Sequence, residues 1–386
     1  MQSDLEIAQA RLRQAWSTVI PHLSAAANYT YADISSGTSS IGGSGGVTMD
    51  GHSGTASVTA KQILWDFGRS LHRIRQGRAD IDAARWQALS TRQATILTVT
   101  QAYLTAVEAQ GAVQVAEQAL VEAQQQLKRV RGFADVGLRG RADVLTATSA
   151  LSQAEFARLQ ALDNVALAKH VLTEAIGGRD DAAYEVAEPS TPLDHVAVPS
   201  LEEAISGALA KRPELRRATA LEQSADAQMR ATRDGWLPML NASGGYTGRK
   251  IESADLTNTW SVTVGATWDV WDGGLTAAQA AETEAQVRRR RAEAQESTLA
   301  VTREVQEAWL RVREFQEHVQ VAQQMVAEAE ERLRLVEGRH ATGLSSTLEV
   351  TDALHNVADA KQLLLAARTD AYVAHIQFRY ALGEEL

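Results

Sequence analysis

The chain has 386 residues, which is enough for two or three domains of ordinary size. Its 38 Lys and Arg against 48 Asp and Glu give a net charge of −10, which argues against a nucleic-acid partner because such proteins present a basic face. Cys is absent, which excludes disulfides and thiolate chemistry. The 9 His show no metal-ligand spacing, and no phosphate loop, nucleophile elbow or paired catalytic carboxylates occur. We therefore expect no cofactor, no metal site and no enzymatic activity.

The start of the chain is polar and charged through Arg13, without the apolar core of a signal peptide. No apolar run reaches the ~18 residues of a membrane helix. We therefore expect either a cytosolic protein or a chain whose leader precedes Met1.

The sequence contains an internal repeat. A shift of 217 residues aligns Pro21 with Pro238, and a shift of 206 aligns residues 64–68 with 270–274 and then holds without a gap to the chain end. The difference of 11 lies in a Gly/Ser-rich insert around residues 35–54. By the same alignment, the counterpart of residues 200–217 would precede Met1, so we expect about one helix segment to be missing from the first repeat.

Each repeat is predicted to contain two strands followed by long helices, in a mainly α fold with a small β part. The first repeat, 1–178, has strands at about 23–33 and 55–65 and helices at about 69–131 and 141–176. A linker at 179–199, marked by three prolines, leads to the second repeat at 200–386. That repeat has strands at about 240–251 and 259–270 and helices at about 200–233, 274–337 and 347–382.

Residue periodicity supports both kinds of element. From Trp260 to Trp268, apolar side chains alternate with Ser, Thr and Gly, and this pattern gives a strand one apolar and one polar face. Each strand has about the ~9–11 residues needed to cross a bilayer. In the helices, apolar residues recur at spacings of 3 and 4 over a long heptad seam, from Val99 to Val130 and from Val305 to Val336.

Four amphipathic strands cannot close a membrane barrel, because the smallest barrels have about eight strands and an open edge is not tolerated in lipid. If these strands span a membrane, several chains must share one barrel. The long helices would then continue outside it as a connected wall.

The tandem repeat and three kinds of motif in the same order resemble the TolC-like outer membrane efflux protein family over essentially the whole chain. The motifs are the WLPxLxxSxxY-type strand start at Trp236–Tyr246, the strand-to-helix junctions at residues 65–68 and 271–274, and the helix-hairpin tips at Val136–Ala147 and Thr342–Ala353. The resemblance implies a homotrimer with a 12-stranded β-barrel in the outer membrane and an α-helical tunnel in the periplasm. Such a duct is passive; it works with a periplasmic adaptor and an inner-membrane pump or ABC transporter, and it contacts outer membrane lipid.

The resemblance also assigns roles to individual residues. Glu349, Asp352 and Asp143 would narrow the tunnel mouth, where rings of three Glu349 and three Asp352 should raise the pKa values of these carboxylates and attract cations. In the archetype, the tip aspartate at the position of Asp143 helps to hold the mouth closed together with a tyrosine and an arginine of the other hairpin. Here His340 and Ser345 stand at the positions of that tyrosine and arginine, so either Arg139 and Arg141 substitute for them or the closed state is looser. The residues implied at the adaptor-facing tips are Gly137, Leu138, Arg139, Arg141, His340, Gly343, Leu344 and Ser345. The residues implied at the membrane interface are Trp65, Trp260, Trp268 and Trp271.

Other interpretations remain open at this stage. Glu349 and Asp352 are also compatible with ordinary first-turn helix acids, stabilised by the helix dipole. The insert at 37–54 is predicted to be a loop at the outer barrel mouth, although its GGSGG at 42–46 also resembles an engineered linker. A cytosolic coiled-coil scaffold would explain the heptads but not the duplicated strands. Drug efflux, metal efflux and type I secretion are all compatible with a duct, and the absence of a Met or His cluster favours small-molecule efflux.

Overall fold

The computed structural model describes residues 2–34, 49–178, 186–187, 198–251 and 254–384. The GGSGG segment of the insert and most of the linker at 179–199 lie outside these residues. As predicted, the chain is mainly helical with one four-stranded sheet. Its elements, in chain order, are α1 (Gln2–Ser17), β1 (His22–Ile34), β2 (Met49–Trp65), α2 (Arg69–Asp135), α3 (Arg141–Ala175), α4 (Leu201–Lys211), α5 (Pro213–Arg233), a 3-10 turn (Asp234–Trp236), β3 (Met239–Ile251), β4 (Ala254–Thr267), α6 (Leu275–Ala341) and α7 (Thr347–Ala381).

The helices of the two halves correspond residue by residue. α2 and α6 each have 67 residues, α3 and α7 each have 35, and the shift of 206 relates all their ends. The same shift relates three pairs of glycines with positive φ: Gly68 with Gly274, Gly137 with Gly343, and Gly177 with Gly383. This correspondence supports the proposed duplication of the chain.

The chain divides into two compact units. The strand unit comprises Met1–Ala88 and Glu214–Ser297, and the hairpin unit comprises Leu89–Pro213 and Thr298–Leu386. Among the described residues, no helix carries an apolar stretch long enough to cross a membrane.

The sheet of the strand unit is antiparallel, in the order β1-β2-β3-β4. The pairing register places apolar side chains on one face of the sheet and polar side chains on the other. One row across the four strands is Ala25, Val58, Tyr246 and Trp260, and the neighbouring row on the same face is Leu23, Ala60, Gly244 and Val262. The row between them, on the opposite face, is Ser24, Thr59, Gly245 and Ser261. The sheet therefore has one apolar and one polar face, and the large side chains of the apolar face are exposed.

The hairpin unit is held together by small apolar residues. One cluster packs Ala102 and Ala106 of α2 against Ala168 and Leu172 of α3. A second cluster, nearer the tip, contains Leu127, Val130 and Ala147. Every position of the two predicted heptad seams is buried or half-buried. Alanine at these positions lets the helices approach closely, so the seams are the core of this unit.

The predicted single helix at 200–233 is wrong. α4 ends at Lys211 and α5 begins at Pro213, because Arg212 adopts an extended conformation (φ −60°, ψ 125°). Proline disfavours a helical residue before it and lacks the backbone N–H that a continuous helix needs. Arg212 is buried at this break; its guanidinium donates to Glu304 at 2.6 Å and to the carbonyl of Tyr380 at 3.1 Å.

The strand and helix bounds differ from the predictions at several other points. The sequence analysis assigned no helix to Gln2–Ser17, where the charged residues hide a weak apolar periodicity. β2 begins at Met49, within the insert predicted to be a loop at 37–54, because backbone pairing with β1 requires no side-chain pattern. β4 spans Ala254–Thr267 rather than 259–270 for the same reason. α2 and α6 continue past Gly132 and Gly338 to Asp135 and Ala341, since glycine weakens a helix without ending it.

Candidate functional site

The two hairpin tips, residues 136–140 and 342–346, share one backbone geometry. At the end of α2, the N–H of Gly137 donates to the Ala134 carbonyl and that of Leu138 to Phe133, both at 2.9 Å. Gly137 has φ 77°, which a side chain would strain, and Gly343 repeats the arrangement at φ 79°. These contacts form Schellman motifs that satisfy the last carbonyls of each helix. They leave Leu138 and Leu344 71% and 72% exposed at the tips.

Near the tips, two polar contacts between described residues link the first hairpin to the second. The Nη2 of Arg139 donates to the backbone carbonyl of Ser345 at 3.2 Å, between positions that the 206 shift makes equivalent. Further along the helices, Arg129 pairs with Glu337 at 2.9 Å. Of the two candidate substitutes for the archetypal arginine, Arg139 therefore makes a contact between hairpins. Arg141 is exposed and has no such contact among the described residues.

His340 lies in the last turn of α6, between Glu337 and the tip loop that Arg139 contacts. It is only 8% exposed, and its Nε2 has no hydrogen-bond partner among the described residues. Burial is the main cause that lowers the pKa of His340, and the positive charges of Arg139 and Arg129 lower it further, while Asp143 and Glu337 act in the opposite direction. The imidazole is therefore neutral near neutral pH.

Asp143 and Glu349 occupy equivalent positions and both act as helix caps. The Oδ2 of Asp143 accepts from the Gly140 N–H at 3.3 Å. Glu349 accepts from the hydroxyl of Ser345 at 2.8 Å and forms a reciprocal capping box with Ser346. The Ser345 hydrogen bond is the main cause that lowers the pKa of Glu349. Within one protomer, the pKa of Glu349 therefore moves opposite to the direction expected for three carboxylates in a ring.

Asp352 lies one turn further along α7. With Glu349 it lines a groove of about 820 Å³ against α6, whose contribution includes Glu328, Glu331 and Arg339. The structure thus places Glu349 and Asp352 on one acidic surface. It places Asp143 at the start of α3, outside that groove.

The strand-to-helix junctions are also equivalent. Asp66 accepts from the Ser70 N–H at 2.7 Å, and Asp272 accepts from the Thr276 N–H at 2.8 Å, so each motif aspartate caps a long helix. Trp65 is the last residue of β2 and packs edge-on against Phe67.

The other three tryptophans that were predicted at the membrane interface belong to β4 or follow it. The indole of Trp268 donates to the Trp236 carbonyl at 3.0 Å. Trp260 lies in the middle of β4, opposite Tyr246, and Trp271 is 85% exposed. All four predicted tryptophans are therefore on the surface of this chain.

The sequence analysis missed several residues of the tip. Phe133 packs edge-on against His340 at 6.5 Å between ring centroids, and Thr347 is completely buried, with a hydroxyl that has no hydrogen-bond partner in the described part of the chain. Arg129 and Glu337 were also missed. No periodic signal marks these residues, since their partners are about 200 positions away in the chain.

Comparison with known proteins agrees with this architecture. The family model of the outer membrane efflux protein matches residues 1–178 and 204–384. Outer membrane efflux protein BepC of Brucella suis biovar 1 is 23% identical over 333 residues, covering 86% of this chain and 72% of BepC. Outer membrane protein TolC of Salmonella enteritidis is 24% identical over 399 residues, covering 99% of this chain and 78% of TolC. The crystal structure of the outer membrane protein VceC of Vibrio cholerae has a TM-score of 0.84 at 18% identity, covering 99% of this chain and 92% of VceC.

These matches extend through both the strands and the helices, and they do not support a cytosolic coiled-coil scaffold. The chain belongs to the outer membrane efflux protein family and is an exit duct of the outer membrane.

Proposed function

We propose that three copies of this chain form one passive duct, with a shared 12-stranded barrel in the outer membrane and a helical tunnel in the periplasm. Outer membrane channels of this family form trimers and work with adaptor proteins and inner-membrane pumps. In the proposed assembly, a periplasmic adaptor contacts the hairpin tips, and an inner-membrane pump or ABC transporter supplies the energy.

The sheet carries this proposal. Its apolar face is exposed in the single chain, and the outer edges of β1 and β4 pair with no other strand among the described residues. Lipid suits the apolar face, but unpaired edge groups have no hydrogen-bond partners in lipid. Pairing β4 of one copy with β1 of the next satisfies both edges, and three copies of four strands exceed the minimum of about eight.

The tryptophans support membrane boundaries at two levels, one within β4 and one just after its end. Trp260 and Trp268 are eight residues apart on β4, or about 26 Å at ~3.3 Å per residue. With the ~40° tilt of barrel strands, this distance spans about 20 Å of membrane, near the ~25 Å apolar band of known barrels. We therefore assign Trp65, Trp268 and Trp271 to one interface and Trp260 with Tyr246 to the other.

The tip contacts support a closed mouth that can open. Leu138 and Leu344 offer exposed apolar side chains to the adaptor, next to the glycines that fix the turns. Arg139 joins the two hairpins of one copy, and this hydrogen bond to Ser345 stabilises the closed state of the mouth. Glu349 and Asp352 supply the acidic surface that, repeated in three copies, narrows the tunnel.

The first experiment measures the detergent-corrected mass of the purified chain by light scattering. Three chains of 41.7 kDa give a mass of about 125 kDa. A water-soluble monomer or dimer would contradict the shared barrel.

A second experiment compares two neighbouring substitutions on β4. Val262→Arg places a charge on the apolar face and should destabilise the inserted barrel by about 2–4 kcal/mol. Thr263→Arg places the same charge on the polar face and should leave insertion intact. Folding yield in lipid vesicles measures both, and equal yields would refute the assignment of faces.

A further inference from the structure

The beginning of α2 is unusually basic for this acidic chain. Residues 69–92 contain six Arg and two Asp, whereas the equivalent residues 275–298 contain four Arg and four Glu. The duplication therefore does not explain the excess positive charge. It is a local property of the strand unit, next to the end of β2.

This basic segment forms one wall of a groove of about 620 Å³, which α5 and Arg291 of α6 complete. The two acids of α5 in the groove already have arginine partners. Glu222 pairs with Arg291, and Asp226 with Arg230, both at 2.9 Å. These carboxylates are therefore not free to neutralise the wall formed by α2.

Arg75 and Arg78 line that wall without partners. Both are exposed, and neither has an ion pair or hydrogen bond among the residues that the structure describes. The third acid of the groove, Asp82, pairs with Arg85 at 3.0 Å. Because Arg75 and Arg78 are three residues apart, their side chains project from the same face of the helix. Two adjacent guanidinium groups with ten N–H donors match the oxygens of a phosphate group.

The same face of α2 becomes apolar towards the sheet. Leu71 precedes Arg75 by four residues and is 49% exposed, and Phe67, in the turn between β2 and α2, is 43% exposed and contacts Trp65. At ~1.5 Å per residue, Arg75 is about 6 Å beyond Leu71 along the helix. A ligand that follows this face meets apolar side chains first and paired positive charges next. A phospholipid has apolar acyl chains followed by a charged phosphate, which is the same order. A soluble anion has no apolar group to place against Leu71 and Phe67.

We propose that Arg75 and Arg78 bind the headgroup phosphate of an anionic phospholipid in the leaflet next to the helices, with its acyl chains against Leu71 and Phe67. The site goes beyond the duct function and requires only that the strands lie in the outer membrane. Bound lipid would fix the position of α2 relative to the membrane surface.

The test uses the full chain in detergent and measures lipid dissociation constants by native mass spectrometry. We expect the protein to prefer phosphatidylglycerol over phosphatidylcholine. Each arginine near an anionic lipid contributes about a fivefold factor, so the double substitution R75Q/R78Q should weaken phosphatidylglycerol binding about 25-fold. The matched control R288Q/R311Q removes the same charge from two exposed arginines elsewhere and should leave binding unchanged.

Three results would overturn the proposal. Equal affinity of the unsubstituted protein for the two lipids would remove the phosphate-specific site, and an equal loss in the control would assign the effect to overall charge. Binding of inorganic phosphate as tight as that of phosphatidylglycerol would instead identify a site for soluble anions. Conductance of R75Q/R78Q in planar bilayers is measured in parallel, because a conducting variant with lost lipid binding separates this site from the duct function.

Discussion

Replacing Arg139 with alanine removes the side chain that joins the two hairpin tips of one protomer. The guanidinium donates to the Ser345 carbonyl at 3.2 Å, and no other side chain in the described tips bridges the same two loops. The backbone turns keep their own hydrogen bonds, so the tips should stay folded. We therefore expect the substitution to loosen the closed mouth rather than to unfold the helices.

The size of the effect follows from the environment of the bond. Hydrogen bonds from a charged donor contribute about 1.5–3 kcal/mol when buried, and the half-exposed position of Arg139 reduces this to about 1 kcal/mol. If three protomers open together, the closed state loses about 3 kcal/mol. This loss corresponds to an increase of about 100-fold in the ratio of open to closed channels.

Single-channel conductance in planar bilayers measures this ratio as the fraction of time spent in the open state. R141A is the matched control, because Arg141 carries the same charge two residues away and is exposed. R139K keeps the charge but offers a different donor geometry, so its effect should be intermediate. If R141A opens the channel as much as R139A, the tip charge rather than the Arg139 bond controls the mouth.

The remaining predictions concern stability and its pH dependence. Burial and nearby arginines depress the pKa of His340, so the tip is stable above the usual His pKa of 6.5 and loses stability as pH falls below it; the protection factors of the tip backbone amides, which are corrected for the intrinsic pH dependence of hydrogen exchange, should fall from about pH 7.5 to about pH 5, and less so in H340N. Arg212→Met removes the buried member of an ion pair whose partner, Glu304, is 42% exposed, and should lower the free energy of unfolding by about 2 kcal/mol, whereas Lys211→Met at an exposed site should change it little; an unchanged thermal midpoint for the Arg212 variant would contradict this assignment. Gly273→Ala forces a side chain to adopt φ 69° and should cost about 1 kcal/mol in the same assay, while Gly265→Ala, without that constraint, should be nearly neutral.

Local patterns in the sequence predicted most of the elements. The long helices follow from heptads, and the predicted starts and ends of α2, α3, α6 and α7 lie within four residues of the structure. Alternation along β4 predicted an apolar and a polar face, which the register then displays on all four strands. The prediction missed α1, whose sequence has only a weak apolar periodicity, and it missed the break between α4 and α5 before Pro213.

The sequence by itself determined the four long helices, the existence of the strands and the duplication, because each depends on neighbours a few residues apart or on direct comparison of the two halves. Only the tertiary structure decided that Arg139 contacts Ser345, that His340 is buried and that Ser345 hydrogen-bonds Glu349 and lowers its pKa. Charge, burial and hydrogen-bond partners at the tips depend on which loops the fold brings together. A sequence pattern gives the type of each side chain, but its protonation and its contacts are set by residues that the chain brings near only after it folds.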